Sequence, residues 1–193
     1  EAALDWARAE NARSLPRLEG DPRFAPLRAE ARAILNSPAR IPTGSIHDGY
    51  VYNFWQDEVH VRGIWRRASA ASYRTGRPQW ETLLDVDRLA REEGENWISD
   101  QFVCLAPSYR HCMVELSRGG GDTSTWREFD VARRSFVRSG FALPDAKSDV
   151  NWVDADTLLV GTDWGTESLT DSGYPRTIRV WRRKPSSRRL PRA

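Results

Sequence analysis

A pattern of short strands recurs three times between Tyr50 and Arg183, and it confines the chain to a β-rich architecture of repeated units. The clearest copy spans residues 151–183. Asp156–Asp163 (DTLLVGTD) is rich in apolar and β-forming residues and predicts a strand. Glu167–Pro175 (ESLTDSGYP) is dense in turn-forming residues and predicts a loop. Thr177–Arg183 (TIRVWRR) predicts the antiparallel partner, with Ile178 and Val180 on one face and Arg179 and Trp181 on the other.

The same order occurs twice earlier. Tyr50–Asp57, Arg62–Ser69 and Trp80–Val86 read as strands, the last running into a short helix near Asp87–Glu93. Asn96–Leu105, His111–Arg118, Thr125–Asp130 and Ser135–Phe141 read as four more, with a turn at Gly119-Gly120-Gly121-Asp122. Ser148–Val153 opens the third copy. VYNFWQD, CMVELSRGG and LLVGTDWG fill one slot of the unit, and GIWRRAS, WREFDV and IRVWRR fill the next. Tyr50, Cys112 and Thr157 mark successive copies, 62 and 45 residues apart. Four short antiparallel strands in such a period are the sequence form of a β-propeller blade. Nine Trp, one or more per unit, suit packing between blades.

Residues 1–42 are different. Ala2–Leu18 has helical spacing, Gly20-Asp21-Pro22 breaks it, and a second helix runs through Phe24, Leu27, Ala31, Ile34 and Leu35. Asp21 is expected to cap that helix, with Pro22 at its first position. The fold expectation is mainly β with an N-terminal helical arm: helices over 1–42, about three four-stranded blades of an incomplete propeller over 43–183, and a basic disordered tail over 184–193. About three blades cannot close an ordinary ring, and open blades leave strand edges unpaired. The chain therefore reads as part of a larger protein or as a unit that assembles with other copies.

Charge points away from nucleic acid. Six of the 29 basic residues lie in the last twelve positions without an acid, and the other 23 stand against 27 acidic residues. A basic tail on a mildly acidic body is not a nucleic-acid-binding face. No apolar run reaches the roughly 18 residues of a membrane span.

Residues able to carry chemistry are few. Cys104 and Cys112 read as two half-buried thiols on neighbouring strands, with a disulfide left open. His47, His60 and His111 lie at strand ends and lack metal-binding spacing; His111 and Cys112 point to opposite faces. Asp85/Asp87 and Asp154/Asp156 are spaced to share a strand face, but their position beside turns predicts that they satisfy backbone donors. The triple glycine lacks the Lys-Ser/Thr and helix of a phosphate-binding loop. Ser124, Ser168 and Ser172 lack the G-x-S-x-G frame of a nucleophile elbow. No residue is assigned as catalytic, cofactor-binding or metal-ligating, and no cofactor is expected. Trp164, in Asp163-Trp164-Gly165, is the candidate to line a substrate tunnel.

Several segments together resemble the N-terminal part of the prolyl oligopeptidase family of serine peptidases. They are WARAEN at 6–11, YVYNFWQDEVHVRGIWRR at 50–67, PQWETLLDVDRLA at 78–90, EGENW at 93–97, SRGGGD at 117–122, REFD at 127–130, FVRSGFALPDAKS at 136–148 and LLVGTDWGTESLTDSGYPR at 158–176. The resemblance covers residues 2–183. It implies a helical segment, a seven-bladed propeller and then an α/β-hydrolase domain with a Ser/Asp/His triad that cleaves after proline. It also implies that the propeller admits short peptides and excludes folded proteins. The triad would lie outside this chain. The expected partners are a short peptide substrate of the complete protein and either the hydrolase domain or further copies joined through open blade edges. A stand-alone propeller-like binding module without catalysis is the alternative.

Overall fold

The computed structural model describes residues 1–37, 39, 41–99 and 101–183. The expected basic tail at 184–193 and Pro38 lie outside the described residues. The chain divides into two compact units, Glu1–Ile41 and Pro42–Ala193.

The first unit is a helix pair, α1 (Ala2–Glu19) and α2 (Phe24–Leu35), with no buried residue in either helix. Asp21 does not cap α2. The N-cap is Arg23, two residues later, and it makes no side-chain cap. Asp21 instead accepts the Arg23 amide at 2.9 Å and pairs with the Arg23 guanidinium at 2.8 Å. A carboxylate two residues ahead of an amide closes a tight turn, which uses Asp21 before the helix begins. The Arg23 guanidinium and amide hold the Asp21 carboxyl below its ordinary range.

The second unit consists of three antiparallel sheets. The first is a four-stranded meander: β1 (Ser45–His47), β2 (Tyr50–Trp55), β3 (Ile64–Ser69) and β4 (Glu81–Asp85). Asp48 and Gly49 join β1 to β2 with φ of 46° and 73°. A two-residue hairpin turn with both φ positive matches the twist of its strands. A short helix, α3 (Ala70–Arg74), follows β3, and α4 (Val86–Glu93) follows β4. The Asp85 side chain caps α4 by accepting the Arg88 amide at 2.8 Å, and Gly94 ends it at φ 66°.

The second sheet is centred on β7 (His111–Arg118) and β8 (Ser124–Asp130). The expected strand over 96–105 is two pieces, β5 (Trp97–Ile98) and β6 (Phe102–Cys104), both paired with β7. The register slips by one residue between them, so they are one edge strand interrupted by a bulge. The expected strand over 135–141 ends early. β9 (Ser135–Phe136) gives way to a turn at Val137–Gly140, and β10 (Ala142–Ala146) resumes the same edge of β8. The sheet is thus four strand positions wide with both outer positions broken.

The third sheet has three strands among the described residues: β11 (Asp149–Asp154), β12 (Thr157–Gly161) and β13 (Ile178–Arg182). The slots inferred from sequence hold, because β2/β3, β7/β8 and β12/β13 each pair antiparallel. Trp181 packs inward and Ile178 and Val180 remain exposed, as the alternation predicts. The sheets stack as blades. β1, β5/β6 and β11 form one edge of each sheet, and no other strand pairs with that edge among the described residues.

Candidate functional site

Two seams join the three blades. The first buries Tyr52, Trp65, Leu84 and Val86 against Cys112, Val114, Leu116 and Phe129. The second buries Met113, Trp126, Phe141 and Leu143 against Val150, Leu158 and Val160. Alternate residues of β7 serve the two seams, because successive side chains on a strand point to opposite faces.

At the inner end of the first seam lies a crevice of about 360 Å³, lined by Ser45, His47, Tyr52, Asn53, Phe54, Trp65, Phe102, Cys104 and Tyr109. That volume falls in the usual range for small-molecule sites, roughly 300–1,000 Å³. Its walls are stacked rings. Trp65 lies on Phe102 with centroids 4.4 Å apart, and His47 of the first blade lies on Tyr109 of the second at 4.2 Å. Asn53 is fixed at the back of β2, donating to the Thr43 carbonyl at 2.6 Å and accepting from the Arg66 guanidinium at 2.8 Å. Among the described residues the lining has no carboxylate and no Lys or Arg. Those residues suit an uncharged group with a ring or apolar face.

Beyond the crevice, the first seam is closed by charges at its surface. Glu93 accepts the Trp97 indole N–H at 2.8 Å and pairs with Arg127 at 2.8 Å. Burial raises the Glu93 carboxyl, but the hydrogen bonds from Arg127 and Trp97 outweigh it and leave it below its ordinary range. Arg67 pairs with Glu81 at 2.9 Å.

The second seam carries a buried charge. Glu128, 2% exposed, sits opposite the Val137–Gly140 turn. It accepts from the Phe141 amide at 2.8 Å and from Arg183 at 3.0 Å on both oxygens, and His111 Nδ1 lies 3.0 Å away. Arg183 also bonds Asp156 at 3.1 Å and lies 4.3 Å over the Phe141 ring. A methyl group at Gly140 would stand 2.5 Å from the Glu128 carboxylate, which explains a glycine there. One carboxylate thereby ties β8, β7, the turn and the end of β13 together.

The residues singled out from sequence are dispersed. His47 lines the crevice, His60 bonds Asp57 at 3.0 Å in an exposed loop, and His111 faces Glu128. The backbone amide and indole bonds around it hold the Asp57 carboxyl at about 2. No group of three or more His, Cys, Asp or Glu able to hold a metal occurs among the described residues. Asp85 caps α4, Asp87 accepts the Arg62 amide at 2.9 Å, and Asp154 accepts the Asp156 amide at 2.8 Å. These carboxylates satisfy backbone donors, as their turn positions predict. Ser168 is buried, accepting from the Trp164 amide at 2.9 Å and donating to the Gly165 carbonyl at 2.6 Å. Ser124 bonds Glu115 at 2.7 Å, and Ser172 lies 3.2 Å from the Thr170 hydroxyl. Trp164 does not line the crevice. It packs against the second seam, under Arg179 at 5.1 Å.

Two features correct or extend the sequence reading. Cys104 and Cys112 are on neighbouring strands, but they are a disulfide rather than two thiols. They face each other in the β6–β7 register, which places both sulfurs on one side. The crevice was not foreseen. Its lining comes from β1, β2, β3, β6 and the 105–110 turn, segments that share no motif. Tyr50, Tyr52 and Phe54 alternating along β2 were the available signal for an aromatic face.

Comparison with known proteins decides the lineage. Residues 1–187 match the family model of the prolyl oligopeptidase N-terminal β-propeller domain. The chain belongs to the prolyl oligopeptidase family. An uncharacterized peptidase of Sinorhizobium fredii is 43% identical over 185 residues, covering 95% of this chain and 26% of that protein. An uncharacterized peptidase of Rickettsia prowazekii is 28% identical over 189 residues, covering 94% of this chain and again 26% of the relative. The structure of a post-proline cleaving enzyme from Rickettsia typhi superposes with a TM-score of 0.80 at 28% identity, over 94% of this chain and 27% of that one. The chain thus spans about a quarter of the length of these prolyl-oligopeptidase relatives.

Proposed function

We propose that this chain supplies the opening blades of the propeller of a prolyl-oligopeptidase-like serine peptidase, and that these blades restrict which peptides reach a hydrolase domain outside the chain. The supporting observation is the match of residues 1–187 to the propeller domain, together with three sheets that each leave one edge, β1, β5/β6 or β11, without a further strand among the described residues. Free inner edges border a passage rather than a packed core, and a passage of fixed width sorts substrates by size. The hydrolase domain would cleave peptide bonds through an acyl-enzyme. The propeller would contribute selection rather than a catalytic group.

The test begins with the native protein, captured by an antibody against this chain. Relatives covered to 26% by a 22.0 kDa chain predict a species about fourfold heavier. It should hydrolyse a short proline-containing fluorogenic peptide and leave folded casein-sized proteins intact. Deleting residues 42–183 should let the remaining hydrolase attack longer chains. A native species of 22 kDa, or unchanged size selection after the deletion, would reject the reading.

A further inference from the structure

We propose that Cys104 and Cys112 are a reversible thiol–disulfide site that sets the shape of the crevice between the first two blades. The inference does not depend on peptidase activity. It rests on where the two sulfurs sit.

The ladder holds the pair in place in either redox state. Leu105 donates its amide to the His111 carbonyl at 2.8 Å, so the adjacent Cys104–Cys112 pair occupies a narrow, non-hydrogen-bonded position, with Cα atoms 3.9 Å apart. Backbone bonds on the flanking residues keep the cysteines opposed after reduction, and the disulfide can re-form without rearrangement.

Access is asymmetric. Cys104 is half-buried on the free edge strand β6 and lines the crevice, whereas Cys112 is fully buried. A dithiol reductant can therefore reach Cys104 Sγ from the crevice. Its thiolate attacks that sulfur, forms a mixed disulfide and releases Cys112 as a thiolate, which takes up a proton. The reductant's second thiol then displaces Cys104 as a thiol and leaves as a cyclic or linked disulfide. Two electrons and two protons pass to the protein. Cys112 Sγ lies 3.9 Å from the Tyr109 carbonyl. In the disulfide this sulfur has no proton to donate, and on reduction it gains one aimed at that carbonyl.

The consequence falls on Tyr109. The disulfide closes a turn of sequence separation 8 that presents Tyr109 at φ 48°, with its amide bonded to the Leu105 carbonyl at 2.8 Å. The Tyr109 ring is the second blade's contact with His47 of the first. Reduction frees the turn, loosens the ring stack and opens the crevice, while the second seam stays closed.

The experiment uses this chain, oxidised and after native dithiothreitol treatment, with iodoacetamide mass tagging and residue-resolved hydrogen exchange. Without reductant neither cysteine should alkylate; after reduction Cys104 should tag before Cys112. Exchange at the Tyr109 amide should accelerate by about tenfold or more, while Leu105 in the ladder and Val160 in the second seam are unchanged. Oxidised glutathione should restore the first pattern. The Cys104→Ser variant should reproduce the reduced exchange pattern without reductant. Alkylation before reduction, unchanged Tyr109 exchange after it, or equal acceleration at Val160 would each overturn the proposal. The last result would make the disulfide a staple of the whole fold.

Discussion

The two seams are built from the same strand slots, yet they close differently: the second on a buried carboxylate, the first beside a crevice. In the second, Trp126, Met113 and Phe141 interlock with Val150, Leu158 and Val160, and the polar closure at Glu128 is itself buried. In the first, aromatic rings meet face to face and leave volume at the inner end, while the charge pairs Glu93–Arg127 and Glu81–Arg67 stay at the surface. The second seam is aromatic too, but there Phe141 meets Trp152 and Trp181 edge to face rather than stacking. A seam with spare volume can change shape; a close-packed seam transmits strain. The difference assigns rigidity to blades two and three and adaptability to the junction of blades one and two.

The comparison can be broken most directly with paired tryptophan truncations. Trp126→Ala should cost about 4–5 kcal/mol, because a closed core cannot refill. Trp65→Ala, buried but bordering the crevice, should cost about 3 kcal/mol, the low end for such a change. Urea unfolding midpoints decide the order, and equal costs would erase the distinction between the seams.

Glu128→Ala should destabilise by roughly 2–3 kcal/mol, since it leaves the Phe141 amide unpaired and removes one of the partners of Arg183, which keeps Asp156. The same variant should raise hydrogen exchange in β13 more than in β2. If β2 responds equally, the latch is not local to the second seam.

A smaller effect is expected at α4. Asp85→Ala removes its cap and should cost about 1 kcal/mol, and Asp85→Asn should recover most of it, both read by thermal melting.

The smallest effect concerns acid. Burial raises the Asp130 carboxyl, but hydrogen bonds from Arg110 and the Arg133 amide outweigh it and leave it below its ordinary range. A carboxyl depressed in the folded state contributes stability that is present above its unfolded value and is lost as pH falls through the folded one. Stability should therefore decline as pH falls below about 4, and Asp130→Asn should remove part of that slope. The guanidiniums of Arg110 and Arg133 are 51% and 76% exposed, so water and salt screen the gain. An identical acid slope in the variant would show that Asp130 contributes nothing to it.

The sequence alone determined the features with a local physical cause. The break at Gly20–Pro22, the Asp48-Gly49 and triple-glycine turns and the period-two strands follow from backbone preferences of neighbouring residues. Pairing of β2 with β3, β7 with β8 and β12 with β13 was legible because consecutive strands flank segments dense in turn-forming residues and sequential strands usually pair. Family membership was legible because many short segments agree along nearly the whole chain. Where local signals misled, a competing contact had intervened. Asp21 closes a turn instead of capping α2, and the strand over 135–141 yields at Val137–Gly140 to make room for Glu128.

Only the tertiary structure decided the rest. Glu128 meets Arg183 across 55 residues, and His47 meets Tyr109 across two blades. Neither pairing has a period or motif to announce it. The joining of Cys104 to Cys112 depends on one register, since a slip of one residue would turn one sulfur to the other face. Register and blade stacking are set by the sum of many side-chain contacts. The crevice, the buried latch and the redox pair exist only once that sum is settled.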